Sequence, residues 1–277
     1  MSSLATRFGR NVNVVRAQTP LSDDQIRKVA PSIFAESKHT SRSERYTYIP
    51  TSDVLRGLRR EGFEPFMVAQ TRVRDEAKRE HTKHMMRLRH ASQINGAEAK
   101  EIVLLNSHDG SSSYQMLAGM FRFVCSNGMV CGDTMSDIRV PHKGNVVDRV
   151  IEGAFDILDG FTRVVEEREG MKALGLISGE QAAFARAALE LRYDTEAAAA
   201  PVTESQLLQT RRFEDRPNDL WTTFNRVQEN MIQGGLQGRT AAGRPMRTRP
   251  VVGIDQGVKL NRALWVLAEE MRKLRGG

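Results

Sequence analysis

The chain has 277 residues, of which 40% are hydrophobic and 27% are charged, and its 41 Lys and Arg residues outnumber its 34 Asp and Glu residues. A chain of this length can bury a core large enough to fold without staples, and two cysteines do not make a disulfide framework. No run approaches the ~18 apolar residues of a membrane span, and the N-terminal segment lacks the apolar core of a signal peptide. We therefore expect a cytoplasmic, globular protein with no membrane association.

The net charge of +7 favours an anionic partner, of which nucleic acid is the commonest. The alternative interpretation is that a net charge of this size only keeps the protein soluble. The positions of the basic residues along the chain therefore decide how the excess charge is interpreted.

The first part of the chain predicts two short helices. Residues 1–20 show no hydrophobic period and are predicted to form a flexible arm. Ser22 and Gln25 have the spacing of a capping box, which predicts that a helix begins there. Thr51 is predicted to cap a second helix, which ends at Gly62.

Strand signals lie between and after these helices. Segment 117–125 also fits a helical period, but its aromatic and β-branched content and the Asn127-Gly128 turn favour a strand. Alternation and intervening turn residues predict an antiparallel meander. Its predicted strands are residues 46–49, 66–74, 83–90, 101–107 and 113–125.

The pattern becomes helical from Gly144 onward. Asn145 is predicted to cap an amphipathic helix, and capping-box spacings recur at Ser178 with Gln181 and at Thr203 with Gln206. Two further apolar stripes, at 220–231 and 260–274, predict the last helices.

These elements predict an α+β fold: an N-terminal antiparallel β-meander packed on helices, followed by a mostly helical C-terminal region. We expect a nucleic-acid-binding core at residues 21–175 and a helical region at 176–277.

Basic residues alternate along the predicted strands. Lys83, Arg87 and Arg89 fall on one face of their strand, and Arg72 and Arg74 share a face of the preceding strand. A sheet face lined with arginine suits a phosphate backbone, because guanidinium groups stay charged and hold two phosphate oxygens at once. The alternative interpretation is a solvated sheet face with scattered charges.

Two other groups of basic residues extend this predicted surface. Arg122, Arg139 and Lys143 lengthen the path along the sheet. Residues 238–250 (GRTAAGRPMRTRP) hold four arginines and no acid, and their Gly and Pro residues predict a mobile loop that captures a second strand. The arginines of this loop are Arg239, Arg244, Arg247 and Arg249.

Metal and nucleotide chemistry have weaker support. Five histidines lie within about 60 residues of one another, but their spacing and that of Cys125 and Cys131 match no common zinc pattern. His108 and Asp109 could belong to a hydrolase, yet their neighbours from Asn106 to Gly110 are turn formers. The sequence contains no phosphate-binding glycine motif, which disfavours ATP-driven strand exchange.

Several motifs carry a family resemblance. The runs NSHDG (106–110) and GMFRFVCSNG (119–128), with HMMRLR (84–89) upstream and Ile138-Arg-x-x-His142 downstream, resemble the phage- and plasmid-encoded family known as domain of unknown function 932. The similarity covers roughly residues 40–170. It implies a protein of mobile elements without an established enzymatic signature. A more distant similarity to Rad-fifty-two-type annealing proteins implies rings or filaments that hold single-stranded DNA in a basic groove without a nucleotide cofactor.

We therefore expect a non-enzymatic, ATP-independent protein that binds single-stranded DNA and promotes annealing in recombination. It would act as a homo-oligomer, a ring or a filament, without a cofactor or a metal. One alternative is a metal-dependent nuclease or hydrolase centred on His108 and Asp109. The other is a non-catalytic assembly protein whose helical half makes the contact.

Overall fold

The computed structural model describes residues 12–41, 48–93, 98–123, 127–131, 138–139, 146–193, 195 and 198–276. The chain divides into two compact units. The first comprises Met1–Val130, Met135–Phe161 and Val252–Ile254, and the second comprises Cys131–Thr134, Thr162–Val251 and Asp255–Gly277. An antiparallel sheet precedes a mostly helical region, so the predicted α+β fold is confirmed.

The first unit is built on an antiparallel sheet whose strands, in the described part of the chain, follow one another from β1 to β6. The predicted meander is confirmed, because every pair of neighbours along this path is antiparallel. A further strand, β7, pairs with β5. The strands are β1 (Val12–Arg16), β2 (Phe63–Thr71), β3 (His84–His90), β4 (Glu98–Asn106), β5 (Gln115–Arg122), β6 (Asn127–Val130) and β7 (Ile138–Arg139).

Two predictions near the start of the chain differ from the structure. Residues 12–16 were expected to belong to a flexible arm, but they form β1, because their backbone pairs with β2 along the whole strand. Of the predicted strand 46–49, residues 46 and 47 lie outside the described residues, and Tyr48 and Ile49 are not in a strand.

The first unit includes α1 (Asp23–Val29), α2 (Thr51–Arg60) and the part of α3 (Val146–Ala173) up to Phe161. The capping box is confirmed, since Ser22 N donates to Gln25 Oε1 at 2.9 Å and Gln25 N donates to Ser22 Oγ at 3.3 Å. The predicted cap at Thr51 is wrong. Pro50 occupies the cap position, and the Thr51 hydroxyl turns into the core instead.

The helices cover one face of the sheet. Thr51 of α2 contacts His84 of β3, and the Phe63 ring of β2 lies 5.5 Å from the Phe155 ring of α3. Because side chains alternate along a strand, residues with the parity of His84 face the helices and those with the parity of Arg87 face the other way. This division decides the surroundings of Arg87 and Arg89, which lie on the face away from the helices.

The second unit is mostly helical, as predicted. α6 has few exposed residues, and its Trp221 and Phe224 rings pack against Trp265 of α7 at 6.2 and 6.0 Å. The capping box predicted at Ser178 is displaced by one residue, because Ile177 is the cap and its N–H donates to Glu180 Oε2 at 2.9 Å. The remaining elements are α4 (Ser178–Arg192), α5 (Glu204–Leu207), α6 (Leu220–Gln233), β8 (Gln237–Arg239), β9 (Pro245–Arg247) and α7 (Ile254–Leu274).

None of the helices in the described residues combines the length and the apolar character that crossing a bilayer requires.

Candidate nucleic-acid interface

Arg87 and Arg89 do share a face of β3, but that face is buried. Their side chains are 6% and 1% exposed, and Glu101 of β4 lies between them with 1% exposure. Glu101 Oε2 accepts from Arg87 Nη1 and Glu101 Oε1 accepts from Arg89 Nε, each at 2.9 Å. We call these three residues the Arg–Glu–Arg cluster. The expectation that Arg87 and Arg89 lie on an exposed cationic surface is therefore wrong.

Neighbouring strands complete the surroundings of the Arg–Glu–Arg cluster. A Cβ atom on Gly128 would lie 2.7 Å from Arg87 Cζ, so only glycine leaves room for this guanidinium. Arg87 Nη2 donates to the Gly128 carbonyl at 3.3 Å. The Arg89 guanidinium lies over the Phe66 and Phe121 rings at 4.4 and 4.3 Å, where the negative ring faces attract it. Both cations are satisfied internally and are not available to a phosphate.

The other basic residues predicted on the sheet do not form one surface. β2 ends at Thr71, so Arg72 and Arg74 lie in the connection to β3, where both are exposed among acidic residues. Lys83 directly precedes β3 and Arg122 ends β5, and both are half-buried. The last two candidates are Arg139, whose backbone forms part of β7, and Lys143, which lies outside the described residues.

The segment around His108 and Asp109 is a turn. Gly110 has a φ of 76°, and Asp109 Oδ1 accepts from Ser111 N at 2.9 Å. Partial burial alone raises the pKa of Asp109, but hydrogen bonds from Ser111 and Ser107 outweigh this effect and lower it. His108 is completely buried. Of the predicted turn 106–110, residues 107–110 lie outside the strands and Asn106 ends β4.

Metal binding has no support in the described part of the chain. There, no three His, Cys, Asp or Glu side chains are grouped so that they could hold a metal ion. Cys131 is buried, whereas Cys125 and His142 lie outside the described residues. The hydrolase alternative centred on His108 and Asp109 stays a prediction.

A buried polar chain crosses the helix-facing side of the sheet. His84 Nδ1 lies 2.9 Å from Ser32 Oγ, and His84 Nε2 lies 3.0 Å from Thr51 Oγ1. Ser32 Oγ donates to Gln70 Oε1 at 2.8 Å, and Asn106 Nδ2 donates to Thr51 Oγ1 at 2.9 Å. We call these five residues the His84 network. They are all buried, so the arrangement joins α2 to three strands and offers no surface to a substrate.

The His84 network predicts acid sensitivity. Burial, and then the nearby His108, hold the pKa of His84 well below its ordinary value of 6.5. The unfolded chain therefore binds a proton at His84 at a pH where the folded protein does not. This histidine favours the folded state fully above about pH 6.5, and that contribution declines as the pH falls towards the lowered pKa, by up to about 1.4 kcal/mol per pH unit.

We expect His84→Gln, which keeps a polar side chain, to reduce this pH dependence. The measurement is the free energy of unfolding in urea between pH 7.5 and 5.5, for wild type and variant. His39→Gln is the control, because His39 is only partly buried in the same unit. Equal slopes for wild type and His84→Gln would show that His84 is not neutral in the folded state.

The four arginines of segment 238–250 are exposed together in the second unit. β8 and β9 pair as a hairpin, with Gln237 opposite Arg247 and Arg239 opposite Pro245. Opposite residues of an antiparallel pair lie on one face, so Arg239 and Arg247 share a face. We call residues 237–249 the arginine hairpin. The prediction of an irregular loop is wrong.

Local sequence explains why this segment forms a hairpin. Gly243 has a φ of 76°, which allows the tight connection, and its N–H donates to Thr240 O at 2.8 Å. Pro245 begins β9, a position that tolerates proline because it is at the start of an edge strand. The prediction took glycine and proline as signs of irregularity, whereas here they close a turn.

The arginine hairpin is anchored at its inner face and at its base. Gly238 lies against Pro201, and a Cβ at this position would come within 2.1 Å of the Pro201 carbonyl oxygen. At the base, Arg192 donates to the carbonyl oxygens of Met231 and Arg249. Sequence reasoning missed Arg192, because nothing in the local pattern indicates that its partners are distant backbone carbonyls. The hairpin is therefore presented on a fixed support.

The chemistry of the arginine hairpin suits an extended polyanion. It contains no acidic residue, so no carboxylate within it competes for the guanidinium groups. Arg239 is partly engaged, since its Nη1 donates to Gly243 O at 2.9 Å, and all four side chains remain exposed. Guanidinium groups that are both exposed and always charged can each hold a phosphate through two hydrogen bonds.

Comparisons with known proteins cover almost the whole chain. UPF0380 protein YfjQ and UPF0380 protein YafZ, both of Escherichia coli (strain K12), are each 57% identical over 271 residues, which is 98% of this chain and 98% of each relative. No solved structure matches the chain, and the more distant similarity to annealing proteins is not supported and stays a prediction. The model of the Domain of unknown function (DUF932) family matches residues 38–265, which include most of the sheet and the entire arginine hairpin. The resemblance predicted from the motifs is thus confirmed, and the chain belongs to the DUF932 family.

Proposed function

We propose that this protein binds single-stranded DNA through the arginine hairpin and promotes annealing of complementary strands without ATP. The observation that carries the proposal is the exposure of four arginines on an anchored hairpin that contains no acid. Phosphate contacts hold a strand without occupying its base edges, so the bases remain free to pair with a second strand. Binding of this kind is electrostatic and depends strongly on salt.

Removing three hairpin arginines is expected to weaken binding and to flatten its salt dependence. Each lost phosphate contact should reduce the slope of log affinity against log salt by about 0.7, so Arg239→Gln, Arg244→Gln and Arg247→Gln together should reduce it by about 2. Fluorescence anisotropy of a labelled oligo-dT strand across a salt series measures both quantities.

The matched control removes three positive charges elsewhere in the second unit. Arg186, Lys273 and Arg275 are each paired with a glutamate, and their replacement by glutamine leaves the hairpin intact. The control variant should keep a slope close to that of the wild type. Equal losses in the two triple variants would mean that net charge alone drives binding, and the proposed interface would be wrong.

Gly238→Ala tests whether the fold of the hairpin is needed as well as its charge. The added methyl group would meet the Pro201 carbonyl oxygen, so the hairpin must move off its support while all four arginines remain. We expect weaker binding of oligo-dT with little loss of helical content by circular dichroism. The control is Gly179→Ala, where an added Cβ meets nothing within 4 Å. Unchanged affinity of the Gly238→Ala variant would contradict a role for the hairpin geometry.

The annealing activity has a direct assay. Two complementary labelled strands are mixed with the protein in the absence and in the presence of ATP and of magnesium, manganese or zinc. We expect faster duplex formation that is independent of ATP and metal, with both strands intact. Metal-dependent cleavage would instead support the hydrolase alternative, and light scattering on the same sample would show whether a ring or filament forms.

A further inference from the structure

Phe213 is the most exposed aromatic side chain among the described residues. It is 73% exposed and begins a short 3-10 turn, Phe213–Asp215, in the second unit. The Arg216 guanidinium lies over the ring, 4.8 Å from its centre. Such a ring, with one face against a cation and most of its surface open, is a platform on which a flat ligand can stack.

The turn that carries Phe213 is held firmly. The preceding residue, Arg212, donates to Asp215 Oδ2 and to Glu229 Oε2, each at 2.7 Å. Both carboxylates are buried. Because the backbone on either side of Phe213 is fixed, a ligand that stacks on the ring does not have to order this segment first.

The same segment reaches the base of the arginine hairpin. Arg211 Nη2 donates to the carbonyl oxygen of Gly234 at 2.8 Å. Gly234 in turn lies against the backbone of Arg249, since a Cβ there would be 2.7 Å from the Arg249 carbonyl carbon. Phe213 is therefore two residues along the chain from Arg211, which contacts Gly234 next to the hairpin. The segment that carries Phe213 is thus attached to the base of the hairpin through Arg211 and Gly234.

The ring of Phe213 suits a base, while the charges next to it have both signs. Arg216 lies over the ring, and Glu214, the next residue in the chain, is exposed. An unpaired nucleobase is neutral and flat, and stacking on an aromatic ring stabilises its binding. Bases within a duplex are already stacked on one another and do not present their faces. The ring thus suits one unpaired base of a strand whose phosphates lie on the arginines.

We infer that Phe213 is a base-stacking residue that gives the protein its preference for single strands over duplex. The inference rests on the proposed function, because the hairpin supplies the phosphate contacts. The two contributions differ in character: stacking is insensitive to salt, whereas the arginine contacts are not.

The experiment compares wild type with Phe213→Leu, which stays apolar but cannot stack. Three labelled probes are used: oligo-dT, the same backbone with abasic sites in place of its bases, and a duplex. For oligo-dT we expect an affinity loss of about 5- to 150-fold with an unchanged salt slope. For the abasic strand and the duplex we expect no loss. Leu274→Ala, in which an apolar side chain that is 86% exposed is removed, is the control and should match the wild type.

Fluorescence provides a second readout. In Phe213→Trp, oligo-dT should quench the fluorescence of the new indole more than it changes the fluorescence of the buried Trp221 and Trp265 in the wild type. Heparin, a polyanion without bases, should not quench it. If wild type binds oligo-dT with the expected salt dependence but Phe213→Leu binds it equally well, the stacking role is wrong and the proposed function stands. Equal losses on all three probes would also exclude stacking. If wild type does not bind oligo-dT at low salt, the proposed function and this inference both fail.

Discussion

Glu101→Gln is expected to destabilise the first unit by about 3–5 kcal/mol, the usual cost of removing one partner from a buried ion pair. Glu101 is 1% exposed and holds both Arg87 and Arg89. With the carboxylate gone, two guanidinium groups would remain buried next to each other without a counter-charge. Because small domains are stable by only about 5–15 kcal/mol, a loss of this size removes a large part of the total stability.

The measurement is urea unfolding of wild type and variant at pH 7.5, followed by circular dichroism. Asp53→Asn, which breaks the exposed pair with Arg56, should cost less than about 1 kcal/mol and serves as the control. In the triple variant Arg87→Met, Arg89→Met and Glu101→Leu no charge is left buried, and we expect it to be clearly more stable than Glu101→Gln alone. If Glu101→Gln were as stable as wild type, the Arg–Glu–Arg cluster would not be buried as described.

Arg212→Met is expected to destabilise the second unit by a similar amount, about 3–5 kcal/mol. The charges are reversed here. One arginine holds two buried carboxylates, Asp215 with 1% exposure and Glu229 with 3% exposure. Removing the cation takes an ion-pair partner away from both buried carboxylates.

Thermal and urea unfolding of Arg212→Met would measure this loss. Arg186→Met, which breaks the exposed pair with Glu204, is the control and should cost less than about 1 kcal/mol. Adding Asp215→Asn and Glu229→Gln to Arg212→Met should recover part of the stability, because neutral side chains of similar shape replace the two carboxylates that have lost Arg212. A triple variant no more stable than the single one would show that packing, not charge, is what Arg212 supplies.

These two clusters affect how variants of this protein are interpreted. Arg87 and Arg89 look like natural targets for a DNA-binding test, because their spacing places them on one face of a strand. Their replacement would unpair a buried glutamate, so any loss of binding would follow from a loss of folding. Tests of DNA binding belong on the arginine hairpin, where the side chains are exposed and the expected structural cost is small.

Most of the fold could be predicted from local patterns. Alternation and turn residues located β2 to β5 within a few residues, and capping and apolar periodicity located α1, α3, α6 and α7. The misassigned elements were short. β1 has few residues and no flanking turn signal, Asn127 and Gly128 were expected to form a turn but begin β6, and β8 and β9 contain Gly and Pro. Such strands exist because of the backbone they pair with, which local sequence does not reveal.

The candidate site, like the fold, could be predicted only in part from the sequence. By itself, the sequence determined which residues carry positive charge, that Arg87 and Arg89 share a face, and that residues 238–250 contain four arginines and no acid. Tertiary structure alone decided which of these charged side chains are exposed to solvent. Glu101 reaches Arg87 and Arg89 because β4 pairs with β3, whereas among the described strands β8 and β9 pair only with each other and neither contains an acidic residue. The burial of a charge depends on partners that are distant in the chain, so strand pairing, and not the spacing of basic residues, determined which arginines are free to bind a phosphate.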